Sequence, residues 1–112
     1  MDIRQKKTGD LVEFDLLGRL DANTAPEAEK TISSAIDGGA SKLLFNLDSL
    51  EYISSAGLRV MLVAAKKIRQ TNGKIVLCSL KDNVQEVFDI SGFSSIFNIA
   101  DTAEDALNDL AQ

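Results

Sequence analysis

The order in which strand-like and helix-like segments follow one another is the strongest constraint on the fold. In residues 11–17, Val12, Phe14 and Leu16 alternate with polar residues, as in a half-buried strand. Further along the chain, segments with helical spacing alternate with short, mostly apolar runs. This order predicts an α/β fold in which helices pack on a mixed sheet.

The segments themselves can be placed from their spacing and turn residues. Ile3 and its polar neighbours are expected to pair with residues 11–17 as an N-terminal hairpin, and we predict about four helices packed on the sheet. The whole chain, residues 1–112, is read as one domain. Further strands are predicted at residues 42–47, 74–80 and 96–99; helices are predicted from a cap at Thr24 to residues 38–39, from Ser54 or Ser55 to residues 72–73, from a cap at Asp82 to residues 91–92, and over residues 102–110.

Composition excludes several classes of function. The formal net charge is -5 and there is no basic cluster, which argues against nucleic acid as a partner because such binding depends on Lys and Arg at phosphates. The chain has no histidine, so histidine-based catalytic triads and histidine metal sites are excluded. We therefore expect a protein that is not an enzyme and that has neither a cofactor nor a metal site.

The ends and apolar runs of the chain bear on its location. Residues 1–7 lack the apolar core of a secretory signal, and no apolar run approaches the length of a membrane span. The one cysteine, Cys78, lies in an apolar run and is expected to be buried in a strand. These features predict a cytoplasmic protein that does not insert into a membrane.

Residues 52–59, which read YISSAGLR, place two serines where a helix begins. One serine is enough to cap the helix by accepting a hydrogen bond from a backbone N–H of the first turn. The N-terminus of a helix also favours a phosphate group, so a phosphoserine would be stable there. On a helical wheel, Arg59, Val60 and Val63 lie away from the core stripe, which predicts either a partner surface or contact with a neighbouring helix.

Several short motifs, in this order, give the chain a resemblance to a known family. The sequence resembles the bacterial anti-sigma factor antagonists of the STAS domain family, and the resemblance extends over nearly the whole chain. The motifs are residues 18–21 (GRLD) followed by Thr24-Ala25, then Leu47-Asp48 and Leu50, then residues 53–58 (ISSAGL), residues 72–74 (NGK) and residues 87–93 (VFDISGF).

The resemblance implies a phosphorylation switch. In the family, the unphosphorylated antagonist binds an anti-sigma factor that is also a GHKL-type serine kinase, so that the sigma factor is released. Phosphorylation abolishes this binding, and a PPM-type phosphatase restores it. Laid on this chain, the family pattern makes Ser55 the phosphate acceptor. Ser54 stands where many members have Asp, and is expected to cap the helix or to serve as an alternative acceptor.

The same resemblance implies a partner surface around the acceptor. The family segment that corresponds to residues 21–24 lies beside the phosphorylated serine, and the free protein is expected to be a monomer. Asp21 has a second explanation, because Asp commonly stabilises turns before helices. The residues expected to contact the partner are Asp21, Asn23, Thr24, Ser54, Ser55, Arg59, Val60 and Val63.

Two other functions compete with this interpretation. A phospho-aspartate receiver domain would need an acidic pair after its first strand to hold a divalent metal ion, and residues 4–6 (RQK) offer none. A STAS domain that acts as a scaffold, or as the accessory subunit of a transporter, shares the fold and stays open as an alternative. The retained serine at position 55 favours the switch.

Overall fold

The computed structural model describes all 112 residues, which form six strands and four α-helices. None of these helices combines the length and the apolar character needed to cross a membrane. The strands are β1 (Asp2–Thr8), β2 (Leu11–Leu20), β3 (Lys42–Asn46), β4 (Leu50–Ile53), β5 (Lys74–Cys78) and β6 (Asn98–Ala100); the helices are α1 (Ala25–Asp37), α2 (Ser55–Gln70), α3 (Asp82–Ser91) and α4 (Ala103–Leu110), with a short 3-10 turn at Phe93–Ser95.

The sheet has the mixed topology that the sequence predicts. Strands β1 and β2 form an antiparallel hairpin whose turn contains Gly9 at a φ of 62°. All other pairings are parallel: β2 with β3, β3 with β5, β5 with β6, and β4 with the end of β2. The predicted fold class, a mixed α/β sheet with an N-terminal hairpin and four helices, is confirmed.

Strand β2 is longer than its apolar alternation suggests, because it pairs with two parallel strands, one after the other. Its first half, Leu11 to Asp15, pairs with β3, and its last residues, Gly18 to Leu20, pair with β4. The register shifts between Gly18 and Arg19, and Gly18 has a φ of 102°, a conformation that glycine adopts without strain. This irregularity carries the end of β2 to the short strand that leads into α2.

The core has two parts, one on each face of the sheet. Helices α1, α2 and α3 cover the face that carries Phe14 and Phe45, whose stacked rings lie 5.1 Å apart. Helix α4 covers a smaller cluster on the other face, which contains Leu44 and Cys78. Burial raises the pKa of the Cys78 thiol, and the prediction of a buried strand cysteine is confirmed.

One predicted cap and two predicted boundaries are wrong in detail. Thr24 stands at the start of α1, but its side chain does not cap the helix because its hydroxyl is used inside the preceding loop. Asp82 is already the first residue of α3, and Lys81 occupies the cap position. The last strand begins at Asn98 rather than Ile96, since the 3-10 turn that follows α3 occupies the chain up to this point.

Candidate functional site

Two parallel strands end side by side at the site and bring two loops together. Leu20 of β2 and Ile53 of β4 are paired, and the backbone N–H of Ser54 donates to the Leu20 carbonyl at 2.9 Å. Asp21 therefore follows one strand end while Ser54 and Ser55 follow the adjacent one. This position, at the carboxyl edge of parallel strands, is where α/β folds commonly place their functional residues.

The two serines have different surroundings. Ser54 has an extended backbone, and its Oγ accepts a hydrogen bond from the N–H of Gly57 at 3.3 Å. Its own carbonyl accepts from the N–H of Leu58 at 2.9 Å, so Ser54 is the N-cap of α2 as the sequence predicts. Ser55 is the first helical residue, is exposed, and makes no side-chain hydrogen bond with the protein.

Gly57 holds the start of α2 against the strand ends. A Cβ atom at this position would lie 2.6 Å from the Leu20 carbonyl oxygen and 2.7 Å from Cγ1 of Ile53. No side chain can occupy that space without moving backbone. The close approach of helix to sheet thus explains the glycine of the YISSAGLR motif. The same contact fixes the position of Ser55 relative to the ends of β2 and β4.

The loop after β2 is held by its own hydrogen bonds. Oδ1 of Asp21 accepts from the N–H groups of Asn23 and Thr24, at 3.0 and 3.2 Å. Oγ1 of Thr24 accepts from the N–H of Asp21 at 3.0 Å and donates to the Arg19 carbonyl at 2.9 Å. The turn-stabilising explanation for Asp21 is therefore correct, and it leaves Asn23 exposed at a rigid position.

Two residues beside this loop were not expected at the site. The guanidinium carbon of Arg19 lies 4.2 Å above the centre of the Tyr52 ring, and Arg19 Nε is 3.8 Å from Asp21 Oδ2. The cation–π contact follows from the pairing of Arg19 with Tyr52 across β2 and β4. Periodicity alone could not find the pair, because the register of β4 depends on the irregularity in β2.

The outer surface of α2 decides between the two alternatives for Val60. Val60 is buried, with 4% of its surface exposed, because α1 packs alongside α2; contact with a neighbouring helix is therefore the correct alternative for this valine. Val63 is half-buried and Arg59 is exposed. Between the two helices lies a shallow cavity of about 300 Å³, lined by Ala22, Ala25, Pro26, Glu29, Ala56, Arg59 and Val60.

The chemistry that this arrangement can support is limited. The Ser55 hydroxyl has no hydrogen-bonded base that could activate it as a nucleophile. No group of three or more His, Cys, Asp or Glu side chains is placed to hold a metal ion. An exposed hydroxyl at a helix N-terminus can be modified with an anionic group, because the free N–H groups of the first turn stabilise the negative charge.

Comparison with known proteins identifies the family. The model of the STAS domain matches residues 2–106. The chain belongs to the STAS domain family. Within that family, it is 42% identical over 106 residues to a protein of Bordetella bronchiseptica named "Putative anti-sigma factor antagonist BtrV", covering 95% of this chain and 91% of that protein. It is 30% identical to the anti-sigma-B factor antagonist of Listeria monocytogenes, over 88% of this chain and 86% of the relative.

Solved STAS structures agree with the fold. The anti-sigma factor antagonist SpoIIAA in its unphosphorylated form is 25% identical, with a TM-score of 0.85 over 98% of this chain and 96% of that one. The phosphorylated form of the Bacillus cell fate determinant SpoIIAA is 23% identical, with a TM-score of 0.75 over 96% and 97% of the two chains. The chain is thus a STAS protein of the anti-sigma factor antagonist family, and the prediction of a regulatory protein rather than an enzyme is confirmed.

The different surroundings of the two serines can be tested in this STAS domain by stability alone. Ser54→Ala removes the N-cap of α2 and should lower the free energy of unfolding by about 1 kcal/mol. Ser55→Ala removes an exposed hydroxyl without a partner and should change it by less than about 0.5 kcal/mol. Urea titration of both variants measures the difference; equal effects would contradict the assignment of Ser54 as the cap.

Proposed function

We propose that the protein is an anti-sigma factor antagonist that is switched off by phosphorylation of Ser55. In its unphosphorylated form it binds an anti-sigma factor with GHKL-type serine kinase activity, and the sigma factor is released. The kinase phosphorylates Ser55 and the complex dissociates; a PPM-type phosphatase removes the phosphate and restores binding. The antagonist acts as a free monomer in the cytoplasm, and the whole chain, residues 1–112, forms its STAS domain.

The observation that carries this proposal is the availability of Ser55. The Oγ of the neighbouring Ser54 already accepts the capping hydrogen bond from the Gly57 N–H, whereas the Ser55 hydroxyl is exposed and without a partner. A kinase can therefore modify Ser55 without breaking the cap. The proposal is also supported by the relatives named as anti-sigma factor antagonists and by the existence of SpoIIAA in both unphosphorylated and phosphorylated forms.

Electrostatics support a phosphate that changes the surface without unfolding the domain. The free N–H groups of the first turn of α2 stabilise an anion at Ser55, and that turn contains no acidic residue. Asp21 follows the neighbouring strand end and would repel the new charge. Because these two effects oppose each other, we expect local rearrangement of the loop, with the sheet and core unchanged.

The partner surface in this proposal is centred on Ser55. The rigid loop after β2 forms one side of it, and the exposed face of α2 forms the other. Val60 lies mostly beneath this surface and supports it from the side of α1. The residues proposed to contact the partner are Asp21, Asn23, Thr24, Ser54, Ser55, Arg59 and Val63, with a minor contribution from the exposed edge of Val60.

Coexpression with the GHKL-type kinase encoded nearest to the gene tests the proposal. Intact mass and peptide mapping should find one phosphate, on Ser55, in the wild type and in Ser54→Ala, and none in Ser55→Ala. A pull-down should recover the kinase only with the unphosphorylated protein. Phosphate found on Ser54 instead would show that Ser54, and not Ser55, is the acceptor. Neither phosphate nor complex would favour the alternative function, a STAS scaffold or transporter-accessory subunit.

A further inference from the structure

Helix α2 differs in charge from the rest of the protein. The formal net charge of the chain is -5, yet α2 contains four basic residues and no acidic one. Two of them have partners: Lys67 Nζ lies 2.8 Å from Asp37 Oδ1, and Arg69 Nη2 donates to the Ile96 carbonyl at 2.8 Å. The remaining two, Arg59 and Lys66, are exposed and form neither an ion pair nor a hydrogen bond with the protein.

Arg59 is the free cation that lies close to the proposed acceptor. It follows Ser55 by four residues on the same helix, so the two side chains are neighbours on one face. An anion placed four residues before a cation is the favourable order for such a pair. The guanidinium group can also donate two parallel hydrogen bonds to phosphate oxygens.

We infer that Arg59 holds the phosphoryl group of phosphorylated Ser55 through an ion pair within α2, and that it is therefore a positioning residue of the switched-off state. This inference rests on the proposed function and adds a regulatory element to it. Phosphorylation then alters the surface twice, because it adds negative charge at Ser55 and withdraws the Arg59 guanidinium from the partner.

The other charged groups near Ser55 do not replace Arg59. The Arg19 guanidinium is held over the Tyr52 ring and close to the Asp21 carboxylate. Glu29 of α1 lines the same cavity as Arg59, but no ion pair joins them. Negative charge on Asp21 and Glu29 would raise the pKa of a phosphate on Ser55, whereas positive charge on Arg59 would lower it. Because the two effects have opposite signs, the contribution of Arg59 can be measured separately.

The test uses the full chain with phosphoserine incorporated in place of Ser55 during translation, so that no kinase is needed. Phosphorus NMR over a pH titration gives the second pKa of the phosphate, near 6 for a free phosphoserine. Arg59→Gln should raise this pKa by about 0.3, and Arg59→Lys should keep it close to the wild-type value. Because Arg59 is exposed, both variants are expected to fold normally.

Lys66→Gln is the matched control. It removes the same charge from the same helix, at a site about 16 Å from Ser55 along the axis rather than the roughly 6 Å of Arg59, and should leave the phosphate pKa unchanged. An equal rise in both variants, or no rise in Arg59→Gln, would overturn the inference. Either result is independent of whether a kinase modifies Ser55 in the cell, so failure of this inference and failure of the proposed function can be told apart.

Discussion

Gly57→Ala is expected to destabilise the protein by about 3 kcal/mol, a large part of the 5–15 kcal/mol typical of a whole domain. The new Cβ would lie 2.6 Å from the Leu20 carbonyl oxygen, 2.7 Å from Ile53 Cγ1 and 2.9 Å from Leu20 Cγ. The carbonyl cannot move aside easily, because it accepts the hydrogen bond from the N–H of Ser54 that joins the two strand ends. The start of α2 must therefore lift from the sheet.

The direction of this effect is what makes it informative. In an unconstrained helix, replacing glycine by alanine raises stability by up to about 1 kcal/mol. Gly38→Ala serves as the control, since Gly38 is exposed, has a φ of -79° and would bring its Cβ no closer than 3.3 Å to any atom outside the neighbouring residues. We expect it to change stability by less than about 1 kcal/mol. Urea titration measures both, and a stabilised Gly57→Ala would show that α2 does not press on the sheet.

Much of the fold could be predicted because its signals are local. The alternation in residues 11–17 and the helical spacing that follows Ser55 depend only on which face of each element is buried. The N-cap at Ser54 was also predictable, since a serine before a helix has one dominant role. The choice of Ser55 as the phosphate acceptor came from the family pattern, and it stays a prediction.

Other features depend on contacts between distant segments, and the sequence contains no local signal for them. The cation–π contact between Arg19 and Tyr52 requires the register of β4 on β2, which follows an irregularity at Gly18. The burial of Val60 requires the position of α1. Thr24 is a residue type that often caps helices. Its hydroxyl instead makes hydrogen bonds inside the loop, where it accepts from the Asp21 N–H and donates to the Arg19 carbonyl.

The proposed function leads to the second large effect, a loss of binding. Ser55→Asp should weaken the complex with the proposed GHKL-type kinase partner on the order of 100-fold, while the domain stays folded. A charge placed in the centre of a protein interface without a partner costs several kcal/mol of binding energy, and about 2.7 kcal/mol corresponds to this factor. The same charge is favourable in the free protein, since it stands in the first turn of a helix that has no acidic residue there.

Two measurements on the same variants separate these effects. Calorimetric titration with the kinase gives the loss of affinity, and thermal unfolding should give a Tm equal to or slightly above that of the wild type. Ser34→Asp, which places the same charge on an exposed serine of α1, should bind normally, and Ser55→Ala should bind but resist switching. Wild-type affinity in Ser55→Asp would remove Ser55 from the partner surface. A collapse of its Tm would mean that the serine supports the fold, and that lost binding reflects unfolding rather than the added charge.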